Sequence, residues 1–219
     1  MTVQLYDLAL ADIDARPSPF CWLAKFALLH KGVAFETTPL RFAEKDNYPD
    51  PEYAKLPVLK DGDEMICDSA NIIAHLDKKY GGEPLAERAA DRATVEFYKA
   101  WMGAHLYSGL APILMIRVFA AVHEDDKEYF RREREERFGK SLEELAMTSN
   151  AKEKAPLARH KFLGGDAPNL ADYTVFSPFM WQRIVTSDEL YETPQAVGAW
   201  MERMLDLFDG YGRKAKRAA

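Results

Sequence analysis

The first periodicity in the chain is an alternation of apolar and polar residues, Val3-Gln4-Leu5-Tyr6-Asp7-Leu8, which reads as the two-residue repeat of a half-buried strand. A connection rich in aspartate and small residues, Ala9 to Pro17, follows it. Ser18-Pro19 then predicts a helix start, because serine accepts from an otherwise unpaired helical N–H and proline has no N–H to lose. The apolar residues Phe20, Trp22, Leu23, Phe26, Ala27, Leu28 and Leu29 cover more than one face, so this helix packs against a sheet on one side and helices on another. Lys31-Gly32 stops it. Val33 to Thr38 has strand composition and completes a βαβ unit. After a polar loop flanked by Arg41 and Pro51, Pro57 to Lys60 and Glu64 to Cys67 flank Asp61-Gly62-Asp63, which predicts an antiparallel hairpin. Ile72, Ile73, Leu76 and Tyr80 then stand at helical spacing behind Asp68-Ser69.

Gly81-Gly82-Glu83-Pro84 punctuates the chain, and beyond Glu87 strand signals give way to long helical patterns. The expected organisation is an α/β domain over 1–83 and an all-α domain over 84–219. Within the second, Arg88 to His123 reads as one long helix that Pro112 breaks or kinks. Asp125 to Met147 reads as a second, charged helix, with Glu128 and Arg132, and Glu133 and Arg137, spaced to pair on a solvated face. A break is expected at Thr148 to Lys154, then a short segment to Leu163. Asn169 opens a helix through Arg183, and Pro194 opens a last one carrying Val197, Trp200, Met201, Met204, Leu205 and Phe208.

Composition narrows the function classes. The 219 residues are 47% hydrophobic, ample for a packed core, and the net charge of -6 argues against general nucleic-acid or anionic-membrane binding. The basic run Arg213 to Arg217 reads as a frayed, solvated tail. Two cysteines, Cys21 and Cys67, with no Cys-x-x-Cys and no zinc-ligand spacing, predict neither a disulfide framework nor a metal site. No signal-like start and no apolar run of bilayer length are present, so a soluble cytoplasmic protein is expected.

The candidate chemistry sits at helix starts. An open helix N-terminus offers unpaired N–H groups and the positive pole of the peptide dipoles, so an anion such as a thiolate is favoured before Pro19, and Ser18 would add one donor. These residues alone leave two readings open, a cap that merely starts a helix and a donor to a bound anion. Asp68 and Ser69 carry the same ambiguity. The histidines show no ligand spacing, and Tyr6 is expected in the core.

Leu5-Tyr6-Asp7, Ser18-Pro19-Phe20, Leu56-Pro57-Val58-Leu59 and Asp68-Ser69, followed by an all-helical half, resemble the cytosolic glutathione transferases with an active-site serine, over nearly the whole chain. Arg137-Phe138-Gly139-Lys140-Ser141-Leu142-Glu143-Glu144 and the long connection before Ser18 look like the bacterial β-aryl-etherase branch and its fungal relatives. That connection departs from the short loop of most serine-type members.

The resemblance implies a thioredoxin-like N-terminal domain with a C-terminal helical bundle, a homodimer, and glutathione as cosubstrate. It also implies that Ser18 donates to the glutathione sulfur and that Leu56 offers a backbone edge before a cis Pro57. Asp68 would take the γ-glutamyl ammonium, Ser69 the γ-glutamyl carboxylate, and Lys45 and Lys55 the glycyl carboxylate. A hydrophobic electrophile would lie on Tyr107, Met115, Phe119 and Trp181. Asn169 and Asp172 resemble the family's capping box. Two other functions remain open: a non-catalytic ligand-binding or interaction protein on this fold, and a glutathione-dependent thiol reductase. Ser18 to Cys21 looks like a glutaredoxin Cys-Pro-Phe-Cys whose attacking cysteine is serine, which disfavours the reductase and leaves Cys21 as a small buried group.

Overall fold

Six residues, Val3–Leu8, form the central strand β1, and the alternation is kept: Val3, Leu5 and Asp7 are buried while Gln4, Tyr6 and Leu8 are half-buried. The computed structural model describes residues 3–86, 89–147, 161–188, 193 and 195–218. Tyr6, expected in the core, is only half-buried because it lies on the face of β1 opposite Leu5. Helix α1 spans Pro19–His30, and β2, Phe35–Leu40, pairs parallel with β1. A parallel neighbour requires a crossover, and α1 is that crossover.

The expected strand at Val33 begins two residues later because the helix end consumes the intervening backbone. Gly32, at φ +64°, turns the chain, its N–H donates to Leu29 O at 3.0 Å, and Val33 N–H donates to Leu28 O at 3.0 Å. That is the bond pattern of a glycine-terminated helix. β3 (Val58–Asp61) and β4 (Glu64–Cys67) form the hairpin, giving a four-stranded sheet of order β2-β1-β3-β4 with β3 antiparallel to β1. Helix α2, Ser69–Lys79, completes this half.

The helical half departs from expectation in three places. The long helix is α3 (Ala89–Trp101), a π-helical segment Met102–Tyr107 and α4 (Ser108–Ala121), with a bend of 62° between Tyr107 and Gly109. Pro112 lies inside α4. The bend falls one turn earlier because proline removes the N–H that residue 108 would receive and crowds that carbonyl. The charged segment is not one helix but two, α5 (Glu124–Phe138) and α6 (Leu142–Met147). Gly139 ends α5 in the left-handed conformation, and Ser141 starts α6 by exchanging bonds with Glu144, at 2.9 and 3.2 Å. This glycine followed by Ser-x-x-Glu was legible as a stop and a start. Among the described residues, the arginine pairs here fall on Arg131, with Glu135 at 2.8 Å and Glu143 at 2.9 Å, and on Arg134 with Glu133, rather than on Arg132 or Arg137.

The third departure is the tail. It is docked, not frayed: Ala218 N–H donates to Ile184 O at 2.7 Å, and Lys216 pairs with Asp12 at 2.6 Å. Helices α7 (Leu170–Val185) and α8 (Gln195–Gly210) match the expected segments, although α8 leaves helical geometry at Leu207. The expected break at Thr148 to Lys154, and Pro194, lie outside the described residues.

Helix α1 is covered by the sheet on one side and α7 on the other, with Phe26 stacked on Tyr173 at 5.7 Å and tilted against Phe176 at 5.7 Å. Asp172 organises the helical half. It accepts from Leu163, Gly164 and Asn169 N–H and from Trp200 Nε1, all within 3.1 Å, while Asn169 caps α7 reciprocally. The expected capping box is present. Fold class is therefore as expected, a thioredoxin-like sheet unit followed by an all-helical half. Among the described residues no single helix is long and apolar enough to cross a membrane.

Candidate active site

Ser18 is the N-cap of α1, extended at φ -68° and ψ 117°, and only 7% exposed. Its Oγ accepts the Cys21 N–H at 3.3 Å, and the hydroxyl also lies within hydrogen-bond reach of the Cys21 thiol. Cys21 is fully buried, and burial first, then the nearby Asp7 charge, pushes its thiol well above the usual range. A thiol so placed stays protonated and is a poor nucleophile.

Beneath this helix end lies a feature absent from the sequence reading. Asp7 is completely buried on β1, its Oδ2 is 2.5 Å from Lys25 Nζ and 3.5 Å from Arg16 Nη1, and its Oδ1 has no hydrogen-bond partner. Lys25 is itself buried and lies 4.3 Å over the Trp22 ring, while Trp22 Nε1 donates to Arg16 O at 2.8 Å. The long connection is thus tied into the base of α1. Alternation did place Asp7 on the Val3 and Leu5 face, which was the available signal.

The Leu56-Pro57 peptide bond is cis. Leu56 is half-buried and Pro57 buried, and the Pro57 carbonyl accepts from Asp68 N–H at 3.3 Å, so this loop and the start of α2 are held together. Asp68 has φ 74° and ψ 137°, a conformation that a side chain makes costly and that functional sites keep. One of its oxygens accepts from Ala70 N–H at 2.8 Å and the other from Tyr53 Oη at 3.4 Å. Ser69, next to it, is buried. The structure therefore gathers Leu56, Pro57, Asp68 and Ser69 into one cluster.

Lys45 and Lys55 are placed differently. Lys55 is exposed, whereas Lys45 is half-buried, donates to Ala54 O at 2.8 Å and lies 4.1 Å over the Tyr48 ring. Burial, followed by the charges of Arg134 and Lys55, holds the Lys45 ammonium below its usual range. Arg134 pairs with Glu133 and lies over the Phe130 ring at 4.8 Å. It adds, from α5, a third cation to the group, and its position depended on how α5 docks, which local sequence does not encode.

Of the four wall residues, Tyr107 and Trp181 meet at 6.4 Å between ring centres. Phe20, 52% exposed and two residues after Ser18, stacks on Tyr107 at 6.2 Å with planes 11° apart. Phe20 was assigned to helix packing from its spacing, yet it joins the helix that carries Ser18 to the wall. Burial pushes the Tyr107 phenol up, so it stays protonated. Met115 is buried in α4. Phe119 lies about three turns beyond Tyr107 and packs against α5, 6.4 Å from Phe130 and 4.4 Å from the Arg131 guanidinium. The structure does not bring Phe119 into the Phe20–Tyr107–Trp181 group.

Residues 13–84 match the glutathione S-transferase N-terminal domain, and residues 93–161 match the glutathione S-transferase C-terminal domain. The chain is 30% identical over 161 residues to glutathione S-transferase F9 of Arabidopsis thaliana, covering 68% of this chain and 70% of that protein. It is 29% identical over 195 residues to glutathione S-transferase F10 of the same plant, covering 83% and 85%. Among solved structures it resembles two glutathione S-transferases of Ceriporiopsis subvermispora, each in complex with glutathione. One has a TM-score of 0.70 at 24% identity and covers 98% of this chain and 95% of that one. The other has a TM-score of 0.77 at 19% identity and covers 96% and 99%. With two-domain matches and relatives spanning most of its length, the chain belongs to the glutathione S-transferase family.

Proposed function

We propose that this glutathione S-transferase is of the serine type: Ser18 and the start of α1 hold the glutathione sulfur as a thiolate for attack on a hydrophobic electrophile. Residues 1–83 supply most of the tripeptide site and 84–219 most of the electrophile wall, with Arg134 and Phe20 each contributing across that division. Glutathione is the cosubstrate of the family. The observation that carries the reading is the position of the Ser18 hydroxyl, buried at the N-terminus of α1 with its oxygen accepting the Cys21 N–H. A donor and a helix N-terminus aimed at one point stabilise negative charge there, more strongly when water is excluded.

In the reaction the sulfur loses its proton to solvent and its electron pair forms a C–S bond, while the bond from that carbon to the leaving group breaks. Ser18 keeps its own proton throughout and acts as an electrostatic donor. Leu56 presents its backbone to the cysteinyl unit, Asp68 and Ser69 take the γ-glutamyl end, and Lys45, Lys55 and Arg134 take the glycyl carboxylate. The electrophile rests on Phe20, Tyr107 and Trp181, with Met115 behind them. For the aryl-ether class suggested by the long connection and the segment Arg137 to Glu144, the leaving group is a phenoxide, which then takes a proton from solvent. The protein acts in the cytoplasm as a homodimer. A thiol reductase is disfavoured because Cys21 is buried and its thiol held protonated.

The test is Ser18→Ala, assayed with glutathione and a halogenated nitroarene and then with a model β-aryl ether. Turnover should fall roughly 10- to 100-fold with glutathione KM little changed, as for loss of one charge-stabilising donor. Unchanged turnover removes Ser18 from the reaction. Failure of the ether alone removes only the ether class, and a monomer in light scattering removes the homodimer.

A further inference from the structure

Helix α5 meets the loop that carries Lys45 with a single face. Asp126, Phe130 and Arg134 stand four residues apart, which places them on one stripe of the helix. Each touches that loop: Asp126 Oδ1 accepts the Ala43 N–H at 2.9 Å, the Phe130 ring meets Phe42 edge-on at 5.1 Å, and the Arg134 guanidinium lies 5.8 Å from the centre of the Phe42 ring. Two residues after Ala43, Lys45 donates to Ala54 O and lies over the Tyr48 ring, and the Tyr48 hydroxyl donates to Arg41 O at 3.1 Å. The loop is thus closed on itself, and the Asp126 bond ties it to the other half of the molecule.

Asp126 is completely buried, and among the described residues its Oδ2 has no hydrogen-bond partner. A buried carboxylate so poorly provided for is costly to stability. Helix α5 does not need it as a cap. His123 is the cap, its Nδ1 accepting from Asp125 N–H at 3.2 Å and its carbonyl from Asp126 N–H at 2.9 Å, and Glu124 and Asp125 already bring negative charge to the first turn. What the Asp126 side chain does accomplish is to fix the backbone at Ala43.

We propose that Asp126 is a positioning residue: from α5 it holds the loop so that Lys45 faces the glycyl carboxylate of glutathione, with Arg134 brought in on the same helix face. Preference for the full tripeptide is then set jointly by both halves. The inference rests on the proposed glycyl contact and not on the role of Ser18. Losing the Ala43 bond frees Lys45 to shift, while the cis-proline loop and the start of α2 still hold each other through the bond from Asp68 N–H to Pro57 O. Asp126 therefore acts on one end of the tripeptide alone.

The test is calorimetric titration of the full chain with glutathione and with γ-glutamylcysteine, which lacks the glycine. The native chain should bind glutathione at least about fivefold more tightly, as for a partly exposed ionic contact. Asp126→Ala should weaken glutathione about fivefold and γ-glutamylcysteine less than about twofold. Asp126→Asn, which keeps an oxygen for the Ala43 N–H, should stay within about twofold of native for both. Lys45→Met should also weaken glutathione selectively, and adding Asp126→Ala to it should cost less than about twofold more, because both act through one contact. Circular dichroism and melting temperature confirm folding. If Asp126→Ala does not fold, Phe130→Leu, which loosens the same face one turn along, is read in its place and should weaken glutathione selectively by about twofold. Equal affinity of the native chain for the two thiols removes the glycyl contact and this proposal with it, and leaves Ser18 untouched. With native discrimination present, the proposal alone is overturned by an Asp126→Ala that binds glutathione normally or weakens both thiols alike. It is equally overturned by an Asp126→Asn as weak as Asp126→Ala, or by full additivity with Lys45→Met.

Discussion

Asp172 and Asp7 are both aspartates sealed from solvent, one in each half, and their charges are accommodated by opposite means. Asp172 receives four N–H donors, three from backbone and one from Trp200, so its charge is spread over neutral dipoles fixed by the fold. Asp7 instead relies on two cations, and one of its oxygens is left without a partner. Neutral donors pre-placed by a loop and a helix start are an inexpensive way to bury a carboxylate. An ion pair must overcome the desolvation of both members, and it collapses when either is removed. The first arrangement builds the helical half, and the second sits under the end of α1 where Ser18 is held.

The largest expected effect tests the first arrangement. Asp172→Ala strands the buried Trp200 Nε1 donor and takes the acceptor from three part-buried backbone N–H groups, and should cost about 4 kcal/mol in urea unfolding. A loss below about 1 kcal/mol would show that the loop relaxes and that the network is not what holds α7 and α8 together. Next comes Lys25→Met, which strands the Asp7 charge with Arg16 alone and should cost about 3 kcal/mol. Adding Asp7→Asn to it should restore most of that loss, since removing both charges removes the imbalance. A double variant no better than the single one would mean that the pair stabilises by packing rather than by charge.

The smallest effect concerns Asp61, a third carboxylate intermediate between the two. Burial would raise it, but hydrogen bonds from His75 at 2.7 Å, Lys79 and Tyr80 at 2.9 Å outweigh that and hold it below the ordinary value of 3.8. A depressed folded-state value means stability that is complete above the unfolded value and is lost as pH falls through the folded one. Melting temperature should therefore decline below about pH 4 more steeply in the native chain than in Asp61→Asn. Parallel curves would sink the assignment.

The sheet half was largely legible because its signals are local. The period of β1, the Ser18-Pro19 start, the glycine at position 32 and the Asp61 to Asp63 turn each act within a few residues. The proposed glutathione cluster at Leu56 to Ser69 rests on likeness, and the cis bond there could not be read from the residues alone, which favour trans. What escaped depended on distance along the chain. Arg134 and Phe20 acquire their places only when α5 and the π segment dock, and the bend before Pro112 obeys the four-residue offset between a helical N–H and its carbonyl. The Gly139 to Glu144 boundary is written in local residues but lies inside a continuous run of charge, which carries no information about where a helix ends.

Phe20 rides on the same helix as Ser18 yet lays its ring on Tyr107 from the other half. Recombining this chain with a relative at the junction between halves would separate that ring from its platform, so substrate preference should not transfer with either piece alone. If the proposed wall sets selectivity, swaps that carry α1 together with the π segment should be the units in which it moves.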